Sequence, residues 1–150
     1  MSITLSPGKV VEALMQGISA GAWKELHAWF SDDAVVEYPF ALPSPTCLEG
    51  NTAIQQYFAT VARYPMKLQM RDLVVHETLD PEVVVAEWDY DGLVTTTGQT
   101  FRVSNITVTR VRNGKIAASR DYHNHAVLPA SRGVCLPWWR QCQKLGSLNS

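Results

Sequence analysis

From Lys67 to His125 the chain is written with a period of two, and the Asn113-Gly114 pair dictates how that half folds. A tight two-residue hairpin turn needs positive φ at both positions, and Asn-Gly adopts it at low steric cost. Two earlier breaks, Asp80-Pro81 and Thr97-Gly98, divide the rest. Four strands are predicted, at about 67–78, 82–94, 99–111 and 115–125. Strands joined by successive hairpins make an antiparallel meander.

The 82–94 strand sets its own register. Val84, Ala86, Trp88 and Tyr90 share one face; Glu87, Asp89 and Asp91 share the other. This split predicts that the first set is buried and the acids are solvated. On the next strand Val103 and Asn105 share a face with Phe101, and Arg102, Arg110 and Arg112 fall opposite, toward water.

The N-terminal half reads as helical. Ser6 suits a cap, Pro7 suits the first helical position, and Val10, Val11, Leu14, Met15 and Ile18 form one apolar stripe. Gly21 breaks it. A second helix is predicted with Trp23, Leu26, Trp29 and Phe30 on one face, then a short strand at 34–38 with Ala34, Val36 and Tyr38 together. Pro39 to Gly50 holds three prolines and reads as a structured loop. Asn51 is expected to cap a third helix that buries Ile54, Phe58 and Val61. The order predicts an α+β fold, a curved antiparallel sheet wrapped over three N-terminal helices around an apolar pocket. One domain spans 1–150, with a core at about 6–126 and a tail at 127–150. In the tail Leu136, Pro137, Trp138, Trp139 and Leu145 read as a short helix that closes the pocket or pads a subunit interface.

Apolar residues make up 46% and charged residues 18%, which favours a packed core over disorder. A net charge of -1 without a basic stripe argues against nucleic acid and against anionic membranes. No run approaches ~18 apolar residues, and no leader pattern is read at the start. The odd set Cys47, Cys135 and Cys142 fits free thiols in a reducing cytoplasm.

Chemistry concentrates in Ser119-Arg120-Asp121-Tyr122-His123-Asn124-His125. Ser119, Asp121, His123 and His125 fall on one face, Arg120, Tyr122 and Asn124 on the other, and pattern alone allows either face inward. If the first points in, a carboxylate and an imidazole sit together in an apolar pocket, suited to acid–base work. If not, Asp121 belongs to a hydrogen-bond network at the sheet surface. Asp121, His123 and His125 are also possible metal ligands, but alternate side chains on one strand spread ~7 Å apart, so no metal is expected. His27 and His76 read as structural. There is no Gly-rich phosphate loop and no G-x-S-x-G, and no organic cofactor is expected.

Phe30-Ser31-Asp32-Asp33-Ala34-Val35-Val36-Glu37, the entry from Leu48-Glu49-Gly50 to Tyr57-Phe58, and Asn113-Gly114-Lys115-Ile116 before Arg120-Asp121-Tyr122 resemble the SnoaL-like group. That group lies within the nuclear transport factor 2-like fold and includes polyketide cyclases, ketosteroid isomerase and limonene epoxide hydrolase. The resemblance implies that Asp121 matches a catalytic aspartate and that the Asp121 and His123 face points inward. It also places Val103, Asn105, Trp88 and Tyr90 inward. The epoxide hydrolase carries an Arg and a second Asp where this chain has Trp88 and Tyr90. The isomerase carries its base where Tyr38 stands and its oxyanion tyrosine where Leu14 stands.

The expected activity is therefore cofactor-independent acid–base catalysis on a small apolar metabolite: cyclisation, isomerisation or elimination, of the kind found in secondary metabolism. Asp121, His123 and Tyr38 are the expected catalytic set. Tyr90, Asn105, Trp88, Val36 and Val103 are expected to bind substrate. The alternatives are epoxide hydrolysis and a non-catalytic, ligand-binding dimeric scaffold. A homodimer is expected from the habits of the fold.

Overall fold

The structure, a computed structural model, describes residues 3–125 and 127. The expected tail helix with Trp138-Trp139, and the thiols Cys135 and Cys142, lie outside the described residues. Helix α1 (Pro7–Ser19) leads through a short 3-10 turn (Leu26–Trp29) into strand β1 (Phe30–Tyr38). Then follow β2 (Thr46–Glu49), α2 (Asn51–Val61), β3 (Met66–Glu77), β4 (Val83–Val94), β5 (Thr100–Arg112) and β6 (Lys115–His123). The six strands form one curved sheet in the order β2-β1-β6-β5-β4-β3. All neighbours are antiparallel except β1 and β6, which run parallel.

Each helix buries one stripe against the inner sheet face. Val10, Val11, Leu14 and Met15 do so from α1, and Ile54, Phe58 and Val61 from α2. All but Val61 join Val36, Ala86, Trp88, Tyr90 and Ile116 in one core. Burying such a side chain stabilises by roughly 1.5–3 kcal/mol, and this is what curls the sheet over the helices. On the outer face the acids of β4 are paired: Asp91 with Arg71 and Arg102, and Glu87 with His76. Arg110 and Arg112 both bind Glu82. These exposed pairs keep charge off the core face and set little of the stability.

Four local expectations change. The second helix is only the 3-10 turn Leu26–Trp29, and Phe30 already belongs to β1, opposite Ile116. The spacing of Trp23, Leu26 and Trp29 is three, the period at which a 3-10 turn stacks its side chains. The proline-rich loop also contains β2, whose Thr46 to Glu49 pair with Tyr38 to Val35. Ser6 holds the cap position of α1 in extended backbone, but its hydroxyl makes no capping bond.

Asn51 is not the cap of α2, because Gly50 is, at φ 84°. Instead the Asn51 amide donates to the carbonyls of His27 and Phe30, each at 2.9 Å, and toward Ser31 at 3.5 Å. One side chain thus pins α2 to the turn that launches β1. Asn51→Ala is expected to cost about 1–3 kcal/mol in urea unfolding, because part-buried carbonyls lose their donor. Asn51→Asp keeps the shape but turns an acceptor toward carbonyls, and should cost at least as much.

Candidate active site

The inner faces of β4, β5 and β6 lie side by side. Trp88 stands opposite Asn105, and Asn105 opposite His123. Thr107 is opposite Asp121, and Thr109 opposite Ser119. Cross-strand partners have Cβ atoms ~5 Å apart, so this register alone gathers a polar cluster. A bulge selects which face of β6 contributes. Arg110 pairs with Ala118 but Val111 pairs with Ile116, which leaves Ala117 as an extra residue. One extra residue reverses the alternation. Ile116 and Ser119 therefore both point inward although they differ by an odd number.

The cluster forms one end of a cavity whose walls come from α1, α2 and the sheet. Its free space, counted as room for the centre of a water molecule, is about 90 Å³. That suits a compact guest, since a dry cavity of ~150 Å³ accepts benzene. Asp121, His123, Tyr38, Tyr90, Asn105 and Trp88 all line it, as does Val36. Val103 is fully buried on the same face of β5 but stands outside the lining, packed in the core. Leu14 also lines the wall, and it offers no hydroxyl where the resemblance puts the isomerase's oxyanion tyrosine. Among the described residues, no Lys or Arg lines it.

Asp121 keeps 20% of its side-chain exposure and His123 16%, and both line the cavity. Asp121 Oδ1 accepts from Thr107 Oγ1 at 2.7 Å and from Ser119 Oγ at 2.5 Å. Asp121 Oδ2 faces His123 Nε2 at 3.8 Å, close enough for charge attraction and too long for a direct hydrogen bond. Burial pushes the carboxyl up, but His123, Ser119 and Thr107 more than offset it and hold it below its ordinary range. Asp121 is thus an ionised base at neutral pH.

Tyr38 behaves in the opposite sense. Burial, then the neighbouring Tyr57 and Asp121, raise its phenol well above the ordinary value, so it stays a neutral donor. Its ring lies 5.9 Å from that of His123 and 5.3 Å from that of Tyr57. Tyr90 is likewise raised by burial, and its hydroxyl donates to Met15 Sδ at 3.2 Å. The Trp88 N–H lies near the Tyr90 oxygen without reaching hydrogen-bond geometry and is buried without a formal acceptor. Asn105 does not present a simple donor to the cavity: its amide nitrogen binds the Val103 carbonyl at 3.0 Å, and its oxygen meets His123 Nδ1 at 2.7 Å.

Sequence reasoning missed Thr107, Thr109 and Tyr57. The signal for the threonines was present, because they continue the Val103 and Asn105 alternation along β5. Among the described residues no group of three His, Cys, Asp or Glu side chains stands close enough to share an ion, so Asp121, His123 and His125 do not form a ligand set here.

Residues 11–119 match the SnoaL-like domain. The chain belongs to the SnoaL-like family. Among curated relatives, the uncharacterized Bacillus subtilis protein YesE is 32% identical over 132 residues, covering 83% of this chain and 88% of that one. An uncharacterized PhzA/B-like protein of Pseudomonas aeruginosa is 32% identical over 114 residues, covering 74% and 77%. Among solved structures, a Bacillus subtilis protein provisionally named an isomerase superposes with a TM-score of 0.77 at 29% identity, covering 85% of this chain and 93% of that one. A Catenulispora acidiphila protein with a ketosteroid isomerase-like fold, solved with trimethylamine, gives 0.68 at 18%, covering 84% and 93%. This SnoaL-like domain therefore has the nuclear transport factor 2-like architecture that its element order implied. None of its described helices is long and apolar enough to cross a membrane.

Proposed function

We propose that this SnoaL-like domain catalyses proton transfer on a small, neutral, largely apolar carbonyl metabolite, with Asp121 as the base and without a metal or organic cofactor. The observation that carries this reading is Asp121, part-buried in the cavity wall with one oxygen held by two hydroxyls and the other facing His123. In the proposed step a C–H bond beside the carbonyl breaks, its proton goes to Asp121, and its electron pair moves onto the carbonyl oxygen. Tyr38, kept neutral, donates to that oxyanion; such donors act strongly where water is excluded. The enolate then takes a proton at another carbon, closes a ring, or expels a leaving group. An anionic substrate is disfavoured by the described lining, whose residues include no Lys or Arg to meet a charge beside Asp121. The isomerase and polyketide cyclase names of structural neighbours agree with this class of reaction.

The test is solvent exchange. Wild-type protein in D2O should wash deuterium into the α-carbon of compact ketones faster than buffer does, read by proton NMR. Oxygen-18 uptake into a diol from an epoxide panel, without wash-in, would reassign the site to epoxide hydrolysis. Tight binding of the same ketones with neither reaction would reduce it to a binding pocket.

A further inference from the structure

Two hydrogen-bond chains reach the Asp121 and His123 pair from different sides, and counting their protons assigns a state to each reacting group. The first chain is made of hydroxyls. Thr107 and Ser119 both lie on Asp121 Oδ1, which in the carboxylate can only accept, so each spends its one proton there. Their own oxygens are 2.9 Å apart, yet neither has a proton left for the other. The missing proton comes from Thr109, whose Oγ1 is 3.0 Å from Thr107 and 3.3 Å from Ser119. All three hydroxyls are buried, at 2%, 2% and 7% exposure for Thr107, Thr109 and Ser119. Every proton in the chain therefore points toward Asp121. Placing a proton on Oδ1 would require reversing a buried network, which leaves Oδ2 to exchange protons.

The second chain starts from a backbone carbonyl. Val103 O only accepts, so the Asn105 group 3.0 Å away is its NH2 and the amide oxygen turns to His123 Nδ1 at 2.7 Å. That oxygen only accepts as well, so Nδ1 carries a hydrogen in both charge states of the ring. Nε2 is then the nitrogen that gains or loses a proton, and it faces Asp121 Oδ2 at 3.8 Å.

We infer that Asp121 Oδ2 and His123 Nε2 are the proton-exchanging atoms of the site, and that Thr107, Ser119 and Asn105 are positioning residues that select them. Their use in catalysis rests on the function proposed above; the assignment of atoms does not. A proton taken from carbon onto Oδ2 has a second station at Nε2 on the same wall of the cavity, from which it returns to the product or leaves for solvent. Among the described residues, the other titratable groups near the pair are Tyr38 from β1 with Tyr57 from α2 beside it, Tyr90 from β4, and His125, whose ring is 5.8 Å from that of His123. Tyr38 and Tyr90 stay neutral through the range in which Asp121 titrates, and among the described residues the lining adds no Lys, Arg or Glu.

The test is NMR on the free protein. In the wild type, ring nitrogen shifts of neutral His123 should show hydrogen on Nδ1 and a lone pair on Nε2. In Thr107→Val and in Ser119→Ala, Asp121 should become a weaker acid by about tenfold or more, since each variant removes one bond to the charged oxygen. Thr107→Ser, which keeps the hydroxyl, should stay near wild type and controls for packing. Asn105→Leu should shift His123 toward the opposite tautomer. If an active substrate is found, the acid limb of its pH–rate profile should move up in Thr107→Val and stay in place in Thr107→Ser. An unchanged Asp121 titration in both hydroxyl variants, or hydrogen on Nε2 in neutral wild-type His123, would overturn the assignment. None of the titrations uses substrate, so failure of deuterium exchange sinks only the proposed function, and failure here sinks only the choice of atoms.

Discussion

Asp121→Asn should lower deuterium wash-in by about two orders of magnitude or more while leaving the fold intact. The substitution is close to isosteric. The amide oxygen of the new side chain can still accept from Thr107 and Ser119, so the hydroxyl network has no reason to collapse. What is lost is the second oxygen: an NH2 there cannot take a proton, and it turns a donor toward His123. The same variant has a signature in stability. The folded carboxyl lies below the ordinary unfolded value of ~3.9. Its contribution to stability is therefore fully present above that value and is lost as pH falls through the lower folded one. The amide has no such proton to gain, so the variant should lose less stability than wild type as the solution is acidified below about pH 4. Activity retained within a few fold would remove Asp121 from the chemistry. Lost activity with an unchanged acid profile would mean that its carboxyl is not held low.

How much of this was legible in the chain depends on whether a feature is local. The β4 register was, because Val84 to Tyr90 alternate without interruption against Glu87, Asp89 and Asp91. The last turn was, because Asn113 and Gly114 take the positive φ values of 51° and 73° that their types favour. The meander follows from such turns. β2 was not legible. It has four residues, sits between prolines and a glycine, and exists only because β1 offers it an edge. The second helix was misread because Trp23, Leu26 and Trp29 satisfy a helical stripe and a 3-10 turn about equally, and the pairing of Phe30 with Ile116 decides between them. The site shows the same divide. Asp121 and His123 were visible as residues, but their direction was not, since the bulge at Ala117 breaks the phase that Ile116 would have set. The family resemblance supplied that direction. Roles were harder still: Asn105 was expected to bind substrate, yet its two ends are engaged by Val103 and His123. No pattern along one strand reveals a partner on the next.

Leu26→Ala should destabilise by about 2–5 kcal/mol in urea unfolding, lowering the melting temperature by on the order of 10 °C. Leu26 is 1% exposed and anchors the 3-10 turn against α1, the helix that supplies Leu14, Met15 and Ile18 to the cavity wall. The approach is close because α1 has Gly17 at the contact: a Cβ there would stand 2.7 Å from Leu26 Cδ2. Gly17→Ala therefore sets two effects against each other. Helix propensity favours alanine by about 1 kcal/mol. Overpacking a buried contact costs about 1–3 kcal/mol, and Leu26 has little free space into which to retreat. The single variant should thus be neutral to destabilising, although glycine-to-alanine in a helix ordinarily stabilises. In Leu26→Ala the obstructing methyl is gone, and the methyl added at position 17 enters the void. The double variant should then be more stable than the sum of the singles predicts, by about 1 kcal/mol or more, the size seen for residues in contact. Additivity within about 0.5 kcal/mol would show that the two side chains do not compete for one space. In that case α1 is held by its apolar stripe alone, and Gly17 has no part in placing the cavity wall.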